Sequence, residues 1–194
     1  MTVSMAVLLG ACGGDTAGGG QGEDEPEEIQ YRHVEIAIKD YGTIKVELNA
    51  TEAPITVENF IALAEDGFYD GLTFHRIIEG FMIQGGDPNG NGSGGSGENI
   101  KGEFSANGVD NSLSHTRGAI SMARAKSNDS ASSQFFIVHQ DSVHLDGQYA
   151  CFGYVTEGIE VVDAICEEVP VIPDQDGLVL KENQPVIESI KVID

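Results

Sequence analysis

The chain is predicted to be mainly β, an antiparallel barrel or sandwich accompanied by only two helices. Three observations lead there. Short apolar runs recur along residues 31–193, each bounded by turn-forming residues. Strict apolar/polar alternation marks two neighbouring segments around Asp40-Tyr41-Gly42. Helical spacing of apolar residues occurs in only two places. Periodicity does not choose between a closed barrel and a sandwich.

In chain order, Val34, Ile36 and Ile38 alternate with Glu35, Ala37 and Lys39, and Ile44, Val46 and Leu48 alternate with Lys45 and Glu47. This predicts a β-hairpin with one buried face. Pro54 suits the first turn of a helix; Val57, Phe60, Ile61 and Ala64 continue it and Gly67 ends it. Strand-like runs follow at Leu72–Ile78, Phe81–Ile83, Gly118–Ala123, Gln134–Val138 and Ala150–Val155. A second helix is expected over about Gly158–Glu167, with Ile159, Val162 and Ile165 on one face, and a last strand over about Val186–Ile193. The glycine-rich stretch Gly85–Gly97 reads as a long surface loop. No Gly-Lys-Ser/Thr follows it and no helix opens after it, so it is not a phosphate cradle.

The 194 residues divide into one domain plus a tail, and 40% hydrophobic content supplies a core. With no Trp, that core rests on Ile, Val, Leu and Phe. The net charge is −22, and 26 of the 32 acids belong to the domain itself, against 10 basic residues. A surface of that sign repels nucleic acid and anionic lipid. It serves solubility, or, as a sharper reading, a preference for basic client proteins.

Residues 1–11 read as the remnant of a signal peptide. The apolar stretch Val3–Ala11 is too short to span a bilayer, which takes about 20 residues. Leu9-Gly10-Ala11-Cys12 resembles a bacterial lipobox, which implies lipidation of the Cys12 thiol. No Lys or Arg precedes Cys12, so the positive n-region is expected upstream of Met1. Residues 12–29 carry the lipidated cysteine and a Gly and acid tract without periodicity, expected to be a disordered tether. Residues 30–194 form the folded domain. Cys151 and Cys166 read as small core residues rather than a disulfide or metal pair.

The chemistry centres on Phe74-His75-Arg76-Ile77-Ile78-Glu79-Gly80-Phe81-Met82-Ile83-Gln84-Gly85-Gly86-Asp87, followed by Ser133-Gln134-Phe135-Phe136-Ile137 and Leu145-Asp146-Gly147. One arginine stands among apolar residues, with no nucleophile or acid/base cluster beside it, which suits a reaction that breaks no covalent bond. In order and spacing these segments strongly resemble the cyclophilin family of peptidyl-prolyl cis-trans isomerases, from about Tyr31 to Asp194. The resemblance implies an eight-stranded closed antiparallel β-barrel capped by two helices. It implies catalysis by Arg76, Gln84 and Phe136, and substrate binding by Phe81, Met82, Ala123, Arg124, Gln134, His144, Leu145 and Tyr149. It implies no cofactor, metal or nucleotide. Proline-containing segments of client proteins are the expected partners, the membrane is reached through the lipid anchor only, and the expected state is a monomer.

Three departures stand out. Arg124 occupies a position where many relatives have Asn, and its charge is expected to favour acidic residues before the proline. Tyr149 stands where many have His; it can still pack on the pocket. His144 stands where the best-known eukaryotic members have Trp, so weak cyclosporin binding is expected. Other chemistries fit poorly. Ser133, His139 and Asp141 lie too close in sequence to converge as a triad and lack a Gly-x-Ser-x-Gly elbow. His139 and His144 match no zinc spacing. The expectation is a lipid-anchored, extracytoplasmic prolyl isomerase assisting exported proteins. A proline-peptide binding module, or a chaperone without turnover, is the alternative.

Overall fold

The computed structural model describes residues 30–194; the signal remnant, Cys12 and the tether lie outside the described residues. Strands β1 (Tyr31–Ile38) and β2 (Gly42–Asn49) pair antiparallel, Val34 opposite Val46 and Ile36 opposite Ile44. The alternation does what its period requires: Val34, Ile36, Ile38, Ile44, Val46 and Leu48 are all buried.

Helix α1 (Pro54–Glu65) buries Val57, Phe60, Ile61 and Ala64 on one face. It ends in a Schellman motif. Gly67 adopts φ 68°, its N–H donates to the Ala64 carbonyl (3.0 Å), and the Phe68 N–H donates to Leu63 (2.9 Å). Its start is less conventional. Ala53 has no side chain to cap the helix, and Glu103, 48 residues from Ile55, does so instead. The Glu103 carboxylate accepts from the Ile55 N–H (3.0 Å), the Thr56 N–H (2.8 Å) and the Thr56 hydroxyl (2.6 Å). An anion here also meets the positive end of the helix dipole. Glu103→Ala is therefore expected to cost about 2–3 kcal/mol, because it strands buried donors. Urea denaturation checks this, and a loss below about 0.5 kcal/mol would refute the capping role.

The remaining strands are β3 (Phe74–Ile78), β4 (Met82–Gly85), β5 (Ala119–Met122), β6 (Phe135–Val138), β7 (Cys151–Glu157) and β8 (Ile187–Val192), with α2 (Ile159–Glu168) between the last two. They form one antiparallel sheet ordered β3-β4-β6-β5-β7-β2-β1-β8. Helix α1 packs on β2 and β8, and α2 on β2 and β3.

The expected closed barrel needs correcting: the sheet is a curled half-barrel. No ladder joins β3 to β8. The seam holds one isolated bridge, Thr73 to Val186, and flanking backbone bonds such as Phe74 N–H to Pro185 (2.9 Å). Proline accepts there but has no N–H to return, which interrupts the pairing.

Two apolar clusters result from the alternation along the strands. The interior one gathers Phe60, Tyr69, Phe74, Phe135 and Phe152. A smaller one, with Met82, Phe136, Val138 and Leu145, lies on the outer face. Adjacent Phe135 and Phe136 thus serve opposite sides of β6, one the core and the other the floor of a cleft. Cys151 and Cys166 are free and buried, as expected, and burial pushes each thiol up to about 12.

The glycine-rich stretch after β4 is a folded wall. Gly86 turns the chain at φ 80°, where an added Cβ would lie 2.5 Å from the Ser133 carbonyl oxygen. Buried Asp87 then accepts N–H bonds from Asn89 (2.8 Å), Asn91 (3.0 Å) and Gly92 (2.6 Å). Burial works to raise the Asp87 carboxyl, but these three donors outweigh it and hold it below the usual range.

Candidate active site

Strand register assembles the site. Arg76 on β3 stands opposite Gln84 on β4, Gln84 opposite Phe136 on β6, and Phe136 opposite Ser121 on β5. Paired residues share a face, so the arginine, the amide and the aromatic ring are set side by side. A cleft of about 210 Å³ opens above them, lined by Arg76, Phe81, Met82, Gln84, Ala123, Arg124, Phe136, Leu145 and Tyr149. A second cleft of about 460 Å³ adjoins it and shares Gln84, Ala123 and Arg124. Gln134 and the chain from Gly92 to Gly95 wall that second cleft.

Arg76 is half-buried and held on two sides. Its Nη1 donates to Gln84 Oε1 (3.3 Å) and lies 3.9 Å from Met82 Sδ. Gln84 Nε2 donates to Gln134 Oε1 (2.9 Å), and Gln134 Nε2 to the Gly94 carbonyl (2.7 Å). The two amides form a relay from the arginine to the glycine-rich wall. On the opposite edge, Nε donates to the Asp176 carbonyl (2.9 Å) and Nη2 to Asp176 Oδ2 (2.8 Å). Sequence reasoning missed Asp176; it lies 100 residues from Arg76 and nothing local pairs them.

Phe81, Met82, Phe136 and Leu145 all line this cleft. The Phe136 and Tyr149 rings meet edge to face at 6.0 Å. Arg124 is held by neighbouring rings and backbone carbonyls. Its guanidinium carbon lies 4.7 Å from the Tyr149 ring centre and 5.1 Å from that of Phe104. Nε (3.1 Å) and Nη2 (2.8 Å) both donate to the Gln148 carbonyl, and Nη1 to that of Ala125 (3.0 Å). His144 is set apart from these residues. It is exposed and does not line the cleft; its ring packs beside Phe81 at 5.8 Å, so it buttresses a wall.

A buried polar chain missed from sequence supports the floor. His115 lies stacked 6.0 Å from Phe136, at 17° between ring planes. Its Nδ1 is 2.8 Å from Asp146 Oδ1 and its Nε2 is 2.9 Å from Ser121 Oγ. A neutral imidazole satisfies both, donating to the carboxylate and accepting from the hydroxyl. Asp146 also accepts from the His115 N–H (2.7 Å) and the Ser114 hydroxyl (2.6 Å). Only Asp146 was visible from sequence, within Leu-Asp-Gly; the partner histidine lies 31 residues away.

Burial lowers both His115 and His75 below the ordinary 6.5, against the opposing pull of Asp146 and Asp87. The His75 ring nitrogens have no hydrogen-bond partner among the described residues. The unfolded chain therefore binds more protons than the fold at pH values below about 6.5, so stability falls as pH drops through that range. The urea midpoint is expected to decline between pH 7 and pH 5, and a flat profile would contradict the buried neutral state. His115→Gln should flatten part of the decline.

The family model for cyclophilin type peptidyl-prolyl cis-trans isomerases matches residues 33–192. Peptidyl-prolyl cis-trans isomerase B of Bacillus subtilis (strain 168) is 50% identical over 123 residues, covering 63% of this chain and 82% of the relative. A peptidyl-prolyl cis-trans isomerase of Helicobacter pylori (strain ATCC 700392 / 26695) is 44% identical over 151 residues, covering 73% and 90%. The crystal structure of a Cryptosporidium parvum cyclophilin type peptidyl-prolyl cis-trans isomerase superposes with TM-score 0.74 at 32% identity, covering 85% of this chain and 99% of that one. A second structure of that protein, determined in the presence of the dipeptide Ala-Pro, gives a TM-score of 0.73.

The curled antiparallel sheet, the largely apolar cleft beside Arg76 and the matches to known isomerases together define a rotamase. The chain belongs to the cyclophilin-type peptidyl-prolyl cis-trans isomerases, and its activity is rotation about X–Pro peptide bonds.

Proposed function

We propose that Arg76 is the catalytic donor, and that the enzyme acts as a lipid-anchored, extracytoplasmic monomer on exported proteins. Rotation about the X–Pro bond faces a barrier of about 18–20 kcal/mol, because the nitrogen lone pair is delocalised into the carbonyl. Twisting localises the pair on the prolyl nitrogen and makes that atom a better acceptor. A donor aimed there binds the twisted state more tightly than either planar one, which is the requirement for acceleration. The observation that carries this role is the guanidinium itself. It is fixed from both edges and turned with Nη1 toward Met82 and Gln84 at the cleft. The proline ring fits against Phe136, Met82, Phe81 and Leu145, whose apolar surface excludes water and strengthens the arginine's field. Gln84 orients Arg76, and Gln134 passes that restraint to the wall of the adjoining cleft, where the residues preceding proline would lie. Exchange spectroscopy on an Ala-Pro peptide, comparing residues 30–194 with their Arg76→Ala variant, tests this assignment.

Arg124 borders both clefts, so its charge reaches those preceding residues even though three of its five N–H donors are engaged by backbone carbonyls. A peptide series is expected to show a preference of about twofold to fivefold for Glu over Lys immediately before proline, lost in Arg124→Ala. Equal rates for both peptides would remove that role. With His144 exposed beside Phe81, cyclosporin binding is expected to be weak, and a nanomolar titration would contradict it. The extracytoplasmic setting is supported by Leu9-Gly10-Ala11-Cys12 and the acidic tract behind it. Slow X–Pro steps limit the maturation of many chains, so folding assistance is the fitting task. Mass spectrometry of the protein from native membranes should find Cys12 diacylated; an unmodified thiol would reject the anchor.

A further inference from the structure

We infer that Asp176 is a positioning residue for the isomerase reaction, setting which edge of Arg76 faces the substrate. The inference rests on the role proposed for Arg76. The guanidinium has two usable forks, one made by Nε with Nη2 and one by Nη1 with Nη2. Asp176 alone closes the first, through its backbone carbonyl to Nε (2.9 Å) and its carboxylate to Nη2 (2.8 Å). Nη1 and the free N–H of Nη2 are thereby the donors left for other partners. Without the carboxylate, only the Nε bond to the backbone carbonyl holds that edge, and the guanidinium is freer to turn about its Cδ–Nε bond.

Asp176 is itself held in place by the backbone. It adopts φ 53°, a left-handed conformation uncommon for residues other than glycine and best tolerated by Asn and Asp. The segment around it is pinned to β3 on both sides. The Ile77 N–H donates to Gly177 (2.8 Å), the Val179 N–H donates to His75 (3.0 Å), and Arg76 bridges to Leu178. At Gly177, φ 78°, an added Cβ would collide with the Ile77 carbonyl, so the turn can approach β3 only with glycine there. The carboxylate is thus presented to Arg76 by a rigid turn, although the side chain is 80% exposed. A pair this exposed has a modest energy, and the expected effect is sized accordingly.

The test separates the carboxylate from the backbone. Asp176→Gly removes the side chain and suits the left-handed conformation. Asp176→Ala removes it and strains that conformation. Asp176→Asn keeps the conformation and an acceptor oxygen but no charge. The Nε bond to the backbone carbonyl survives in all three. On an Ala-Pro peptide, kcat/KM is expected to fall about threefold to fivefold in both Gly and Ala variants, through kcat with KM nearly unchanged, and Asn should recover part of the loss. An Ala variant that falls while the Gly variant does not would assign the effect to backbone strain and overturn the inference. A loss confined to KM would overturn it equally. Arg76→Ala run alongside keeps the two claims apart: if Arg76→Ala is inactive and Asp176→Gly matches wild type, only Asp176 loses its role. A second readout is independent of turnover. In arginine-labelled protein, rotation of the Arg76 Nη groups should be slow in wild type and faster in Asp176→Gly, and equal rates would contradict the inference whatever the activities.

Discussion

Arg76→Ala is expected to lower kcat/KM by about 10²- to 10³-fold while leaving the fold intact, the size of effect seen when a preorganised transition-state donor is removed. The fold should survive because the guanidinium belongs to the cleft and its partners can turn to water. Gln84 keeps its bond to Gln134, and Asp176 has an exposed carboxylate. The loss should be large because the reaction offers the enzyme no other handle. No bond breaks and no proton need move, so under the proposed role selectivity for the twisted state rests on one directed donor within an apolar wall. Arg76→Lys should recover little. An ammonium keeps the charge but lacks the planar fork that Asp176 and Gln84 grip from opposite edges, so its direction is lost. Steady-state rates on an Ala-Pro peptide, with circular dichroism to confirm folding, provide the check. A folded Arg76→Ala variant within tenfold of wild type would mean that shape alone carries the catalysis.

Phe135→Ala is expected to give the largest loss of stability, about 3–5 kcal/mol. The Phe135 ring meets three others edge on, those of Phe60 at 5.3 Å, Tyr69 at 5.6 Å and Phe74 at 5.9 Å. It therefore ties α1 and β3 to β6 at the centre of the interior cluster. Removing it leaves a cavity that these large rings cannot close without leaving their own packing. A loss of this size is a substantial part of the 5–15 kcal/mol typical of a whole domain. Guanidinium denaturation measures it, and a change under about 1.5 kcal/mol would mean that the cluster repacks. One residue on, Phe136→Ala should behave differently. Phe136 faces the cleft, so catalysis should fail well before the fold does. The contrast between neighbours is a direct consequence of the two-residue period of a strand.

How much of this was legible beforehand depended on how far each interaction reaches along the chain. The hairpin of β1 and β2, the Gly67 stop of α1 and the alternation that separates Phe135 from Phe136 are written in local periods, and they came out where the pattern placed them. Most residues that line the cleft were named beforehand, but only because their motif resembles a known family; periodicity says nothing of what Arg76 faces. The failures share one cause. Glu103 capping α1, His115 bridging Asp146 and Ser121, and Asp176 gripping Arg76 all depend on which distant segments become neighbours. Barrel closure failed for a related reason: whether β3 reaches β8 depends on the geometry around Pro185 and on five-residue β3, and neither is encoded in apolar spacing. His144 shows the limit of a motif, because a motif position carries no side-chain direction. It lies next to the right residues in sequence and outside the cleft in space.

The central claim is that Arg76 recognises the twisted peptide bond rather than the peptide. Line-shape NMR on an Ala-Pro peptide tests it most directly, because it yields the dissociation constant and the on-enzyme exchange rate in the same titration. For Arg76→Ala the account predicts a Kd within about threefold of wild type and an exchange rate reduced by at least about 10²-fold. A Kd weakened as much as the rate, or exchange that persists on the variant, would show that Arg76 binds the ground state and that the acceleration comes from elsewhere in the cleft.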